Sequence, residues 1–252
     1  ELKGSDRHED LFVFDLQHVT IRKGQRLVVP LVQFDLLYTD AYCLDIPFAP
    51  PAEMRGQFNT QQQMELARLF HSPKVMHKLR LKNTASCPLT TAPVLILKNG
   101  RVLAQAMMMY TPVGGTCDVE VTAAVNITVK VSDRQTEVTP DAVNWNGNRY
   151  TKVQMAGSVT LTNYSPEPVQ IEVTRSVLGM VDQAGHDGRI AQSQTGDNDW
   201  LVEEGVPVWW SWRSWPWWWY HFNSLGRIQW EFELKPSETA PLDYTWHYFW
   251  LP

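Results

Sequence analysis

The sequence contains few cysteines, and none of them forms a short metal-binding or redox motif. Cys43, Cys87 and Cys117 are widely spaced in a chain of 252 residues and lack a C-x-x-C pair, which argues against a zinc or dithiol site. One disulfide and one free thiol would suit a location outside the cytoplasm. Because Cys87 and Cys117 flank the same predicted hairpin, they are the pair that we expect if a disulfide forms. The alternative is three buried thiols that pack as small apolar side chains.

The chain also lacks a basic surface pattern and a membrane-spanning run. Its formal net charge is -5 and it has no stripe of Lys and Arg, so nucleic acid is not an expected partner. The longest aromatic-rich run includes Arg213 and Pro216 and falls short of a spanning helix. We therefore predict no transmembrane segment.

The common catalytic motifs are missing as well. The sequence has no G-x-S-x-G elbow, P-loop, glycine-rich dinucleotide motif or H-E-x-x-H pair, each of which marks a class of enzymes. Its seven histidines are scattered. His71 and His77 lie near the end of a predicted helix and are candidate metal ligands, although a histidine in such a place is more often a surface or core residue. A non-enzymatic role is therefore favoured.

One polar, Gly-containing loop holds the best set of oxygen ligands. Its carboxylates belong to Asp182, Asp187, Asp197 and Asp199, and such a loop can wrap a hard cation such as calcium. The loop lacks the spacing and the final Glu of an EF-hand, so a solvated loop is the favoured alternative. Calcium is thus the one cofactor that the sequence suggests, and a metal-dependent hydrolase is the weakest functional hypothesis.

Alternating apolar residues dominate the stretch 78–131. Runs of strand length are bounded there by turn residues, and Asn99-Gly100 between two of them favours a tight hairpin. We predict that Ala92–Lys98 and Arg101–Met108 pair antiparallel. A similar alternation on both sides of 164–168 predicts a second hairpin.

The complete pattern predicts an all-β protein built of antiparallel β-sandwich modules. Only Thr60–Phe70 shows a helical apolar stripe, and Thr60 and Gln63 have the spacing of a capping box. We place the first module at 1–133 and the second at 134–252. The range 179–223 loses the alternation, and it is predicted to be a long Trp-rich insertion in the second module.

Several of the turn and strand motifs also occur together in one known family. They are L-x-L-K-N at 79–83, P-L-T-T-A-P at 88–93, K-N-G-R at 98–101 and Y-T-P-V-G at 110–114. In these motifs the chain resembles the domain of unknown function that forms the carboxy-terminal half of mucoidy inhibitor A-like proteins. The resemblance covers most of the chain except 179–223. It implies β-sandwich modules and a bacterial source, and it supplies no catalytic residues.

Tryptophan is the residue type in excess, with 12 copies in the chain. Indole combines a large apolar body with one N–H donor, which suits protein interfaces, stacking on sugars and the lipid headgroup region. We expect that Arg213 can lie over an indole face. The alternative is that the rings roof one end of the sandwich as a small satellite core. The candidate binding residues are Trp209, Trp210, Trp212, Arg213, Trp215, Trp217, Trp218, Trp219 and Tyr220.

These observations favour a non-enzymatic structural or protein-interaction subunit of a bacterial envelope or extracellular assembly. Its partner would be another protein subunit or a second copy of the chain. The location would be the periplasm, the cell surface or the extracellular space. A carbohydrate-binding module that stacks sugars on exposed tryptophans is the alternative from a different functional class.

Overall fold

The protein is rich in β-structure. A computed structural model describes residues 6–8, 11–13, 18–30, 32–70, 73–193, 208–212 and 215–252. Strands account for 55% of the described residues and helices for 10%. The predicted all-β fold class, with several antiparallel sheets, is therefore confirmed.

Fourteen strands, three α-helices and one 3-10 helix make up the described elements. In chain order they are β1 (Asp6–His8), β2 (Leu11–Val13), β3 (Tyr38–Ile46), α1 (Ala52–Arg55), α2 (Thr60–Phe70), β4 (Met76–Lys82), β5 (Ala92–Lys98), β6 (Arg101–Met108), β7 (Thr116–Ala123), β8 (Ile127–Trp145), β9 (Asn148–Asn163), β10 (Val169–Leu178), β11 (Met180–Ala184), β12 (Arg189–Ser193), a 3-10 helix (Val208–Trp212), α3 (Trp219–Phe222), β13 (Leu225–Leu234) and β14 (Thr239–Trp250).

The chain divides into two compact units, and each unit is made of two separate stretches. The first unit comprises Glu1–Asp40 and Lys78–Thr122, and the second comprises Ala41–His77 and Ala123–Pro252. The predicted module boundary after Asp133 falls inside strand β8. The two units are not consecutive halves of the chain, because Ala41–His77 packs with the carboxy-terminal part.

The first unit contains the hairpin predicted from Asn99-Gly100. Strands β5 and β6 pair antiparallel from Ala92↔Met108 to Lys98↔Arg101, which confirms both predicted strands at their predicted bounds. Asn99 and Gly100 adopt φ angles of 52° and 75°, the positive values that a two-residue hairpin turn requires. The same unit contains the β1–β2 pair and the neighbouring strands β4 and β7.

Hydrogen bonds, and no disulfide, hold the turns around this hairpin. All three cysteines are buried and none of them forms a disulfide, so the Cys87–Cys117 bond, expected if a disulfide forms, is absent and the alternative of buried thiols describes them. Asn83 is buried, and its side-chain amide donates to the carbonyl oxygens of Cys87 at 3.1 Å and Thr111 at 3.1 Å. This amide links the two turns non-covalently.

The second unit contains two sheets that share one core. Within this unit the first sheet runs in the order β12-β13-β10-β3, and the second has the order β11-β14-β9-β8. All of these pairs are antiparallel except β10–β3, which is parallel. Inward-facing side chains of both sheets belong to a single hydrophobic cluster that includes Leu44, Ile171, Ile228, Val159, Leu161 and Leu242.

The predicted second hairpin is wrong, because β9 and β10 belong to different sheets. Strand β9 pairs with β8 and β14, whereas β10 pairs with β13 and β3. The buried Asn163 fixes the connection between them, since its side-chain amide donates to the carbonyls of Glu167 at 3.0 Å and Leu234 at 3.1 Å. The chain therefore crosses from one sheet to the other at this point.

Helix α2 spans the predicted Thr60–Phe70, but its cap lies one residue earlier than expected. The backbone N–H of Asn59 donates to the side chain of Gln62 at 3.0 Å, and the Gln62 N–H donates to the side chain of Asn59 at 2.9 Å. Asn is a preferred N-cap residue, and this reciprocal pair is the geometry of a capping box. The predicted capping box is therefore present, but it is formed by Asn59 and Gln62 instead of Thr60 and Gln63.

Part of the predicted insertion 179–223 is regular structure. Its first residues form β11 and β12, each paired to a strand of the second unit, and Asp187 turns the chain between them with a φ of 53°. Within the described parts of the chain, no helix is long and apolar enough to cross a membrane.

Candidate functional site

The tryptophan-rich segment supplies an inner and an outer set of rings to the second unit. The 3-10 helix and α3 carry most of these residues. Trp209 and Trp219 are only 1% and 2% exposed, and Trp218 is also buried. Trp210, Trp212 and Trp215 are half-buried. The inner set thus belongs to the core.

Aromatic partners from the body of the second unit surround the inner rings. The ring centre of Trp209 lies 5.5 Å from that of Phe48, and Trp218 lies 5.4 Å from Tyr150. Trp219 packs at 5.9 Å against Trp250 of β14. The candidate role of these tryptophans as binding residues for an external partner is therefore not supported for the inner set, because the protein itself covers them. They are covered by the protein itself, as in the alternative, but they belong to the main hydrophobic cluster and not to a separate satellite core.

Asn223 attaches the segment to the adjacent sheet. It is buried, and its side chain pairs with both backbone groups of Phe249: its amide donates to the Phe249 carbonyl at 3.0 Å and its oxygen accepts from the Phe249 N–H at 2.7 Å. This pairing imitates a neighbouring strand. It fixes where α3 ends relative to β14.

Some polar groups of the tryptophan-rich segment and of the adjacent Tyr150 are buried without a hydrogen bond. Among the described residues, the indole N–H groups of Trp209 and Trp215 and the hydroxyl of Tyr150 form no hydrogen bond. An unsatisfied buried polar group destabilises a fold by about 1–3 kcal/mol. Ring packing, and not hydrogen bonding, therefore holds these three side chains in place.

The outer set forms a small exposed aromatic platform. Trp217 is 64% exposed, and its ring centre lies 4.8 Å from Trp145 at the end of β8. Trp145 also stacks on His221 at 4.3 Å with an interplanar angle of 17°. We call Trp145, Trp217 and His221 the aromatic platform. Of its three members, only Trp217 belongs to the predicted tryptophan site.

Two of the predicted binding residues are not placed. Arg213 lies outside the described residues, and for Tyr220 only the backbone, within α3, is described. The predicted stacking of Arg213 on an indole therefore stays a prediction.

The predicted metal ligands are only partly described. Asp182 Oδ1 and His247 Nδ1 form a hydrogen bond of 2.7 Å, and Asp187 lies in the β11–β12 turn. Asp197, Asp199 and His71 lie outside the described residues. In the part of the chain that is described, no three His, Cys, Asp or Glu residues are grouped to hold a metal ion. His77 instead stacks on Tyr42 at 4.9 Å.

A surface that the sequence analysis did not select is the exposed side of the β5–β6 hairpin. Leu95, Leu97, Val102, Leu103 and Met107 are each half or more exposed, and we call them the outer hairpin face. The alternate residues of both strands are half-buried. Within the described chain the sheet contains these two strands alone. The sequence did contain a sign of this exposed surface, because apolar residues occupy both faces of β5.

A buried ionic network connects the two sheets of the second unit. Arg175 on β10 donates to the Tyr244 hydroxyl at 2.8 Å, to the Pro47 carbonyl at 2.7 Å and to Asp133 Oδ2 at 2.7 Å. The Tyr244 hydroxyl donates to Asp133 Oδ1 at 2.7 Å. Two of the three partners of this buried cation, Tyr244 and Asp133, are thus also hydrogen-bonded to each other, and the paired carboxylate compensates the buried charge.

Burial and charge shift the pKa values of this network. Burial raises the pKa of Tyr244 above its usual range, against the opposing effect of Arg175. Burial alone would lower the pKa of Arg175, but Tyr244 and Asp133 outweigh it and raise that pKa. The arginine therefore stays charged and the tyrosine stays a hydrogen-bond donor. This arrangement is structural, since both groups are locked by their partners.

Comparisons with known proteins do not identify the chain. No family model, no curated protein and no solved structure matches it. The resemblance to the carboxy-terminal domain of mucoidy inhibitor A-like proteins therefore stays a prediction. Function has to be argued from the geometry described above.

Proposed function

We propose that the protein is a non-enzymatic interaction subunit of a bacterial envelope or extracellular assembly and that its contact surface is the outer hairpin face. The observation that supports this proposal is the exposure of Leu95, Leu97, Val102, Leu103 and Met107 on one two-stranded sheet. An exposed apolar patch of this kind marks interaction surfaces in soluble proteins. The envelope location rests on the sequence resemblance alone.

The hairpin supports this role better than the inner tryptophans do. The inner rings are already covered by the second unit, so a partner would gain no apolar area from them. The outer hairpin face is uncovered, and isolated two-stranded sheets are marginally stable in water. Its partner is another protein subunit or a second copy, which would cover this face and extend its open edges.

Introducing positive charge on the outer hairpin face tests the proposal. Leu95→Lys with Leu97→Lys should abolish association, measured by light scattering across a range of protein concentrations and by co-purification from the native source. The melting temperature should barely change, because exposed substitutions shift stability by about 0.5 kcal/mol or less.

Val138→Lys is the matched control, since Val138 is an exposed apolar strand residue of the second unit. It should leave association intact. A chain that stays monomeric and retains no partner, or one that associates equally well with both lysines present, would contradict the proposal.

A second candidate function is carbohydrate binding at the aromatic platform. Trp217 presents an exposed indole beside Trp145, and sugars stack on such faces. Trp217→Ala should then remove glycan-induced quenching of tryptophan fluorescence, whereas Tyr164→Ala, at an exposed aromatic elsewhere, should not. Absence of binding across a glycan array would eliminate this candidate.

A further inference from the structure

A groove in the second unit lies between helix α2 and the sandwich, apart from both surfaces discussed above. It has a cavity volume of about 360 Å³, within the range of small-molecule sites. Its walls are largely apolar and include Ile46, Leu66, Phe70 and Val131. We call it the α2 groove. A second cavity of about 220 Å³ adjoins it and shares Pro50, Arg55, Asp133 and Arg175.

The polar floor of the α2 groove is already satisfied. Both oxygens of Asp133 accept hydrogen bonds, one from Arg175 and one from Tyr244. Arg175 in turn donates from all three of its nitrogens. The positive charge of Arg175 and the negative charge of Asp133 compensate each other, so the floor adds no net charge to the groove.

Arg55 is the unneutralised charge at the groove. Its Nε donates to the Pro50 carbonyl at 3.2 Å, which orients the guanidinium at the junction of the two cavities. Among the described residues, its terminal nitrogens have no hydrogen-bond or ion-pair partner. A guanidinium binds a carboxylate through two parallel hydrogen bonds. The groove therefore combines an apolar body with one cationic end.

We propose that the α2 groove binds a medium-chain aliphatic carboxylate. The acyl chain lies against Leu66, Phe70 and Val131, and the carboxylate pairs with Arg55. Charge complementarity selects an anion over a cation, because Arg55 gives the site a net positive charge. The apolar lining selects an amphiphile over a small inorganic anion. This site is independent of the proposed association through the hairpin.

Isothermal titration calorimetry of the full chain with decanoate, decanol and decyltrimethylammonium tests the ligand class. Decanoate should bind saturably at one site, decanol more weakly, and the quaternary ammonium weakest. Stronger binding of the cation than of decanoate, or no saturable binding of decanoate below its micelle concentration, would overturn the proposal.

Two variants locate the bound molecule. Arg55→Gln should weaken decanoate binding by about fivefold and leave decanol binding unchanged, because it removes one partly solvated charge pair. Ala67→Trp should abolish binding of both, since Ala67 lines the groove on an exposed position of α2 and a large ring there fills it.

Matched controls come from the same helix. Arg68→Gln removes an exposed charge and Met64→Trp adds an exposed ring, and neither residue lines the groove. Both should bind decanoate as the unaltered chain does, with circular dichroism confirming that all four variants are folded. If Ala67→Trp binds decanoate normally, the ligand lies elsewhere and the assignment is wrong.

Discussion

At Gly157, the ring of Tyr244 crosses strand β9 to reach Asp133 on the other side. Tyr244, Gly157 and Asp133 are register partners on β14, β9 and β8. A Cβ atom on residue 157 would overlap the tyrosine ring and the aspartate carboxylate. The glycine is therefore required for close approach of a side chain.

Gly157→Ala should lower the free energy of unfolding by about 2 kcal/mol or more, because overpacking is added to the loss of a buried hydrogen bond. Urea denaturation followed by fluorescence measures this loss. Gly56→Ala is the control, because a Cβ there meets nothing within 4 Å and should change stability little. Equal effects at the two positions would contradict the packing argument.

Asp118 gives the first unit a pH-dependent contribution to stability. Arg80 donates two hydrogen bonds of 2.8 Å to this carboxylate. The hydrogen bonding lowers the pKa of Asp118, and burial opposes part of that shift. Since the folded pKa lies below the unfolded value, the contribution is complete above the unfolded pKa of about 3.9 and is lost as pH falls through the folded pKa.

Asp118→Asn should therefore destabilise the protein by about 1 kcal/mol at pH 7. The difference from the unaltered chain should shrink as the pH is lowered below about 4. Urea titrations from neutral to acidic pH measure it. Asp141→Asn breaks an exposed ion pair with Arg149 and should have a smaller effect; a constant difference for Asp118→Asn across the pH range would refute the linkage.

At the scale of elements, the tryptophan segment separates buried from exposed rings. Trp219→Ala should destabilise the second unit by about 3–5 kcal/mol, the usual effect of removing a buried aromatic side chain. Trp217→Ala should change stability by less than about 1 kcal/mol, because that ring is mostly in water. Thermal unfolding measured by circular dichroism compares them. A similar loss for both would mean that the inner and outer sets are not distinct.

Local patterns predicted elements well and sheet membership poorly. Turn residues predicted the hairpin β5–β6, and periodicity predicted helix α2. Both have the predicted bounds, because each pattern lies within a few consecutive residues. The alternation around 164–168 was equally clear, yet it could not show that β9 and β10 enter different sheets, because that depends on the distant strands β13 and β14.

The buried network was missed for the same reason. Asp133 lies 42 residues from Arg175, and Tyr244 lies 69 residues from it, so no short motif contains them. One signal was available: Arg175 occupies the inward position between Val173 and Val177 on a strand of alternating apolar residues. A charged residue at such a position predicts a buried partner.

At the scale of the whole molecule, the core of the second unit contains no described residue from the stretch Lys78–Thr122. Its hydrophobic cluster and the rings packed on it are drawn from 42–75 and 124–251. The chain leaves and re-enters this unit at adjacent points, since the Ala124 N–H donates to the Val75 carbonyl at 2.8 Å. The second unit should therefore fold without the intervening stretch.

Replacing Lys78–Thr122 by a short Gly-Ser linker should preserve cooperative unfolding of the second unit and its tryptophan fluorescence. Near-ultraviolet circular dichroism and thermal melts check this expectation, with the same linker inserted into the complete chain between Asn146 and Gly147 as a control for added length. Loss of the cooperative transition in the shortened chain would show that the core depends on the first unit.

The parallel pairing of β3 with β10 affects how the chain emerges from the ribosome. Cys43 and its register partner Glu172 are separated by 129 residues. At a synthesis rate of about 5–20 residues per second, roughly 6–26 seconds pass before β10 is made. During that interval the β10-facing edge of β3 has no native partner. Slower translation of the intervening stretch should thus increase the dependence of the nascent chain on chaperones.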